Sequence, residues 1–218
     1  MFGQGPRHLG APYGERAANI LRALSPVAGG LRWGEQIHGR VIASLSPEPG
    51  GTLSGVACVG RCDGLVTDEA GLGVIVWTAD CVPLLIAGGD VVAAVHVGWR
   101  GAAAGIVPTA VHRLEVEYGV APQDLLVALG PAVGLCHYEV GPEVVRALEE
   151  CGVPTNQWCS GGRVDLRRLA AGQLVGAGVE AGRIECVGGC TACEPDLASY
   201  RRDGVAAGRQ WSLAVLRR

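Results

Sequence analysis

The order of apolar and polar positions divides the 218-residue chain into short elements. Residues 14–24, GERAANILRAL, place apolar side chains at helical intervals and stop at Ser25-Pro26, which predicts a helix. Residues 31–45, LRWGEQIHGRVIASL, alternate loosely and predict a strand with a glycine bend at His38-Gly39. A turn-rich loop over 46–55 follows. The runs 74–80, 82–87 and 90–97 are short, β-branched and apolar on both faces, so their sheet needs cover on both sides. Residues 101–119 predict a helix that Pro108 kinks or delays. A buried strand over 124–134 runs into a Gly-Pro loop. Helices are predicted over 141–152, with Pro142 at its start and Gly152 at its end, and over 164–179, capped by Asp165. Strands over 184–189 and 211–217 close the chain. With no repeat or linker, the pattern predicts one α/β domain over 1–218, a mixed sheet with helices on its faces.

One apolar run raises a chemical question. VVAAVHVGWRGAAAG (91–105) carries an imidazole, His96, where a buried strand has little use for one. Gln36–Gly39, Thr78–Cys81 and His96–Gly101 each set an extended apolar stretch against small or turn residues. Strand ends of this kind can present side chains into a shared cleft. Two imidazoles and a thiolate suit a borderline-soft ion, and three protein ligands leave the fourth tetrahedral position open. Spacing alone leaves the other reading standing, that of a hydrogen-bonded core histidine.

Composition narrows the field. A formal net charge of -3 and a pI near 5.9 lack the clustered basic footprint of a nucleic-acid binder, and all 18 basic residues are arginine. The first 19 residues contain no signal-like apolar core, and no stretch approaches the roughly 18 uncharged apolar residues of a membrane span. A cytoplasmic protein is expected, monomeric because no amphipathic seam stands out. Nine cysteines in such a chain point to metal ligation, catalysis or burial rather than to a disulfide framework. Cys58-x3-Cys62 and Cys190-x2-Cys193 form one conceivable four-thiolate zinc set. Cys136 and Cys190 are expected to be buried near the cleft, and Cys151, Cys159 and Cys186 to be core or surface thiols.

RCDGLVT (61–67), TADCVPLL (78–85), HVGWRGAAAGI (96–106), GPAVGLCHYEVG (130–141), CTACEPDLASYRRDG (190–204) and GRQWS (208–212) resemble, in order and spacing, the blocks of the YfiH family. Older naming calls it the laccase-domain or multicopper polyphenol oxidase family. The resemblance covers residues 31–218 and implies an α/β sandwich binding one zinc through His38, Cys81 and His96. It also implies purine nucleoside phosphorylase activity on adenosine, inosine and guanosine. Adenosine deaminase and methylthioadenosine phosphorylase side activities are implied with it. Residues 1–30 depart from the family's usual opening, so that Arg7 is a poor stand-in for its N-terminal arginine; Leu197-Ala198 replace an aromatic pair.

Phosphorolysis needs a phosphate site, stabilisation of a cationic ribosyl transition state, and help for the departing purine. Arg100 and Arg201 suit the phosphate, whereas Arg202 fits a cap or a solvated face. Asp80 would either hydrogen-bond a histidine ligand or act as acid/base, which requires a backbone bend because neighbours on a strand face opposite ways. Tyr138 and Glu139 either line the pocket or pack at a helix start. An open zinc also lowers the pKa of bound water toward ~7, which suits deamination. Copper is the alternative ion, since His2Cys is also a blue-copper set. The only methionine is Met1, however, and the five histidines include no His-x-His pair for a multinuclear cluster. A peptidoglycan-editing hydrolase and a non-catalytic sensor are the remaining alternatives.

Overall fold

The computed structural model describes residues 10–23, 28–46 and 54–217. Arg7, Ser25-Pro26 and most of the loop expected over 46–55 lie outside the described residues. The strands are β1 (Gly30–Glu35), β2 (Ile42–Leu45), β3 (Gly55–Arg61), β4 (Gly64–Thr67), β5 (Leu72–Thr78), β6 (Val82–Gly88), β7 (Val91–Val97), β8 (Leu126–Leu129), β9 (Cys159–Ser160), β10 (Arg163–Val164), β11 (Ile184–Cys186) and β12 (Gln210–Val215). The helices are α1 (Gly10–Ala23), α2 (Trp99–Ala103), α3 (Ile106–Tyr118), α4 (Pro142–Glu149), α5 (Leu166–Gly176) and α6 (Tyr200–Asp203).

The strands form two large mixed sheets, a four-stranded one in the order β12-β5-β1-β3 and a six-stranded one in the order β11-β8-β6-β7-β4-β2. Period-2 alternation decides which face each side chain takes. In β5, Val74 and Val76 point between the sheets, where they meet Leu65, Val92 and Ala94, while Ile75 and Trp77 face outward and pack with Ala17 and Ile20 of α1. In β7, Ala93, Val95 and Val97 face the other way, onto Ala102, Ile106, Ala110 and Leu114 and the wider cluster that includes Leu148 and Leu169. The order of layers is therefore helix, sheet, sheet, helices. Each fully buried Leu, Ile or Val contributes about 1.5–3 kcal/mol, and the central strands are fully buried along their length.

The both-face burial predicted for 74–97 holds, and so do the mixed sheet and flanking helices. The stretch 31–45 is two strands in different sheets, parted at the expected bend. The helix expected over 101–119 is broken into α2 and α3 by Gly105 in the left-handed region (φ 81), and Pro108 falls in the first turn of α3. That is the delayed start of the two options. Strands β3 and β4 carry no alternation strong enough to be seen: β3 is a largely exposed edge and β4 has four residues. Asp165 caps α5 by accepting hydrogen bonds from the amides of Arg167 and Arg168, and Pro142 opens α4, both as predicted.

Candidate metal centre

Strand order brings the three predicted donors together. β7 is hydrogen-bonded to β6 with His96 opposite Pro83, so His96, at the end of β7, lies beside the turn from which β6 departs and which holds Cys81. His38 arrives on the loop after β1. The donor atoms of His38, Cys81 and His96 lie within 4.8 Å of one another. Cys81 Sγ is 4.0 Å from His38 Nε2, and the two imidazoles meet edge to face at 4.8 Å between centroids. His96 is buried, whereas His38 is exposed and Cys81 half-buried, so the cluster opens to solvent on one side.

Asp63, which the sequence analysis quoted in RCDGLVT without giving it a role, holds this arrangement together. It is fully buried, and its Oδ1 lies 2.8 Å from His96 Nδ1. Its carboxylate also accepts the amide hydrogens of Ile37 (3.2 Å), His38 (2.8 Å) and Gly39 (2.8 Å). One carboxylate thus orients one histidine and fixes the backbone of the other. With Nδ1 engaged by Asp63, Nε2 of His96 is the ring nitrogen left to meet Cys81 or an ion. The signal available in the sequence was a lone acidic residue between a cysteine and a glycine at the start of an apolar run, and nothing local tied it to a histidine 33 positions away.

The local backbone is built for the same purpose. Among the described residues, the non-glycine positions with positive φ are His38 (58°) and Asp80 (86°). Both adjoin or supply a donor, and strained residues of this kind gather at functional sites. Gln36 anchors the loop of His38 by bonding both backbone groups of Trp77, donating to its carbonyl (2.7 Å) and accepting from its amide (2.8 Å). Gly98 forms the floor. A Cβ there would stand 2.9 Å from His38 Cδ2 and 3.3 Å from Cys81 Sγ, so any side chain would press into the cradle. Gly101 lets α2 abut the same loop, since its Cβ would fall 2.8 Å from the Gly39 carbonyl oxygen.

Electrostatics favour a thiolate. Burial alone would raise the Cys81 pKa, but the charge of His96 and hydrogen bonds from His38 and His96 bring it down to about 6. Burial would lower His96, and the Cys81 charge with the Asp63 hydrogen bond carries it up to about 9. An anionic sulfur, two imidazole nitrogens, a glycine cradle and an open side fit a single divalent ion with a vacant position.

Asp80 stands at the bend that the sequence analysis required. Its oxygens accept from Thr191 Oγ1 (2.6 Å) and from the backbone amide of Arg201 (2.6 Å). The histidine-orienting role offered for Asp80 belongs to Asp63 instead, because the turn sends the Asp80 carboxylate toward the 190–204 segment. Arg201 lies over the Tyr138 ring at 5.3 Å and donates to the Glu139 carbonyl (3.2 Å), and Arg100 stacks on Trp99 at 4.3 Å. Burial raises the Tyr138 phenol, and it also feels the charges of Cys81, Arg201, Asp80 and Arg100. These residues therefore share one neighbourhood. The side chain of Glu139 is exposed. Arg202 is spent on the carbonyls of Thr191, Glu194 and Leu197 and on Asp203, a structural use as expected, but one that ties loop carbonyls rather than capping a helix. Leu197 and Ala198 line a hollow of about 460 Å³ with Arg209 and Trp211, to which none of the three donors contributes.

Of the remaining cysteines, Cys151, Cys159 and Cys186 are the core or surface thiols expected, whereas Cys136 and Cys190 depart from expectation. Cys62 is buried between the sheets, its thiol pushed up to about 11 by burial and by Asp63, and Cys58 lies on the exposed edge strand β3. Neither joins Cys190 and Cys193, so the four-thiolate set is not assembled. Cys136 is exposed and Cys190 half-exposed rather than buried. They cluster instead with Cys193 and His137, a histidine to which the sequence analysis gave no role. Cys151 and Cys159 pack against the helix-side core, and Cys186 is exposed.

Comparison with known proteins agrees with this architecture. The chain is 37% identical over 186 residues to a purine nucleoside phosphorylase, YlmD, of Geobacillus stearothermophilus, covering 80% of this chain and 68% of that one. It is 34% identical over 156 residues to a purine nucleoside phosphorylase of Bacteroides thetaiotaomicron, covering 67% of this chain and 58% of the relative's length. The crystal structure of YlmD from G. stearothermophilus superposes with a TM-score of 0.84 at 30% identity over 98% of this chain and 84% of that one. The Bacillus licheniformis YfiH structure does so with 0.82 at 26% identity over 92% and 79%. A family model described as multi-copper polyphenol oxidoreductase laccase matches residues 14–217, so the chain belongs to that family, and it shares its fold with the YfiH and YlmD structures.

Proposed function

We propose that this protein is a zinc-dependent purine nucleoside phosphorylase, converting adenosine, inosine or guanosine and phosphate to the free base and ribose 1-phosphate. The observation that carries the reading is the convergence of His38, Cys81 and His96 beside Arg201, Arg100 and Tyr138, in a chain whose named relatives are purine nucleoside phosphorylases. His38, Cys81 and His96 hold the ion, which supplies a Lewis acid for a substrate oxygen. Asp63 keeps His96 in the tautomer that leaves Nε2 free, and holds His38 in place through its own amide. Arg201 and Arg100 bind the phosphate dianion; the planar guanidinium matches two of its oxygens at once. Asp80, by accepting the Arg201 amide, positions that arginine rather than touching substrate. Tyr138, its pKa raised, stays protonated at neutral pH and donates a hydrogen bond.

Adenosine deamination is a side reaction of the same open site, in which water adds at C6 of the purine and ammonia leaves, giving inosine with the glycosidic bond intact. Copper would bind these donors tightly, but His137 and the exposed His112 lie apart from His38 and His96, which does not favour a multinuclear oxidase. Incubation with inosine, with and without phosphate, tests the reading. Hypoxanthine and ribose 1-phosphate should form only when phosphate is present. No turnover of any purine nucleoside by zinc-loaded protein would overturn it and turn attention to the editing hydrolase or the sensor.

A further inference from the structure

A second group of soft donors stands outside the site just described. Cys136 and His137, on the loop after β8, meet Cys190 and Cys193, on the loop after β11. Cys136 Sγ lies 3.5 Å from Cys193 Sγ. His137 Nδ1 lies 3.2 Å from Cys136 Sγ, 3.4 Å from Cys193 Sγ and 3.8 Å from Cys190 Sγ. A tetrahedral zinc with Zn–S near 2.3 Å and Zn–N near 2.0–2.1 Å has S···S edges of about 3.8 Å and S···N edges of about 3.6 Å. The observed S···N separations bracket the second of these edges, and the Cys136–Cys193 separation falls a little short of the first.

Burial does not explain the grouping. Free cysteines collect where they can act as small apolar residues, yet Cys136, His137 and Cys193 are exposed and Cys190 only half-covered. Three thiols and an imidazole converging at the surface have another reason to meet. Cys190 is shaped as a ligand in a turn: its carbonyl accepts from the amides of Cys193 (3.0 Å) and Glu194 (3.1 Å), and its sulfur accepts from the Gly134 amide (3.2 Å).

We propose that Cys136, His137, Cys190 and Cys193 form a closed, structural zinc site. Four protein ligands leave no vacant position, in contrast to the three donors of the first centre. Binding releases the thiol protons to solvent and ties residues 130–141 to residues 190–204. Tyr138 follows His137 in one segment, and Arg201 belongs to the other, so the ion fastens together two walls of the first site.

Metal content tests this without reference to activity, so its failure and the failure of the phosphorylase reading are distinguishable. Protein purified under reductant should hold two zinc equivalents per chain, and Cys81→Ala should hold one. Cys81→Ala loaded with cobalt(II) should show the strong sulfur-to-cobalt charge transfer of a three-thiolate tetrahedral site. Adding Cys193→Ser, or Cys136→Ser should the first variant fail to fold, should remove that band and the last equivalent. A chelator should lower the melting temperature of Cys81→Ala and leave that of Cys81→Ala/Cys193→Ser unmoved. Cys81→Ala free of metal would overturn the proposal, as would a Cys136–Cys193 disulfide in the reduced preparation.

Discussion

The two donor clusters are assembled by different means. His96 sits at the end of a fully buried strand, with Cys81 and His38 on the turn and loop that flank it and a buried carboxylate behind them. Cys136, His137, Cys190 and Cys193 sit on two surface loops, with turn hydrogen bonds around them and no carboxylate at hydrogen-bond distance among the described contacts. A site backed by packed sheets can keep an empty coordination position, because the scaffold and not the ion holds the donors apart. A site made of loops needs its fourth ligand, because there the ion supplies the rigidity.

The sharpest way to break the comparison is to remove a donor from the strand-end site. Cys81→Ala should lose turnover to background in the phosphate-dependent assay while circular dichroism stays unchanged, since the three clusters of the core contain none of the three donors. A variant that keeps full turnover would remove Cys81 from the mechanism. Asp63→Asn comes next. It keeps the shape but weakens the acceptor for His96 and the loop amides, and such outer partners typically govern metal affinity by 10–100-fold. Competition with a chelating dye should show that loss at the first site with the second equivalent untouched. Smallest is Arg201→Ala, which should raise the KM for phosphate by about tenfold with little change in the KM for inosine, one charge-assisted contact being worth roughly 1.5–3 kcal/mol at most. An equal rise for both substrates would make Arg201 a wall residue only.

Much of the frame was legible along the chain. The runs over 74–97 had to be covered on both faces, because alternation gave them no polar side, and Asp165 and Pro142 marked helix starts by local chemistry alone. The stretches 36–39, 78–81 and 96–101, with the family resemblance, pointed to His38, Cys81 and His96, and these side chains do converge. The bend needed at Asp80 was also foreseen, though its carboxylate serves Arg201 and Thr191 rather than a histidine. β3 and β4 were missed because an exposed edge and a four-residue strand carry too little alternation.

The sequence by itself determined which residues are apolar on which face, where turns fall, and which side chains can bind a soft cation. Those properties are local, set by periodicity and by the chemistry of single residues. Only the tertiary structure decided that Asp63 serves His96, 33 positions on, and that Cys136 meets Cys193, 57 positions on, rather than Cys58 or Cys62. Such pairings follow from how two stacked sheets and their connecting loops bring remote positions together, and no short window of sequence carries that information.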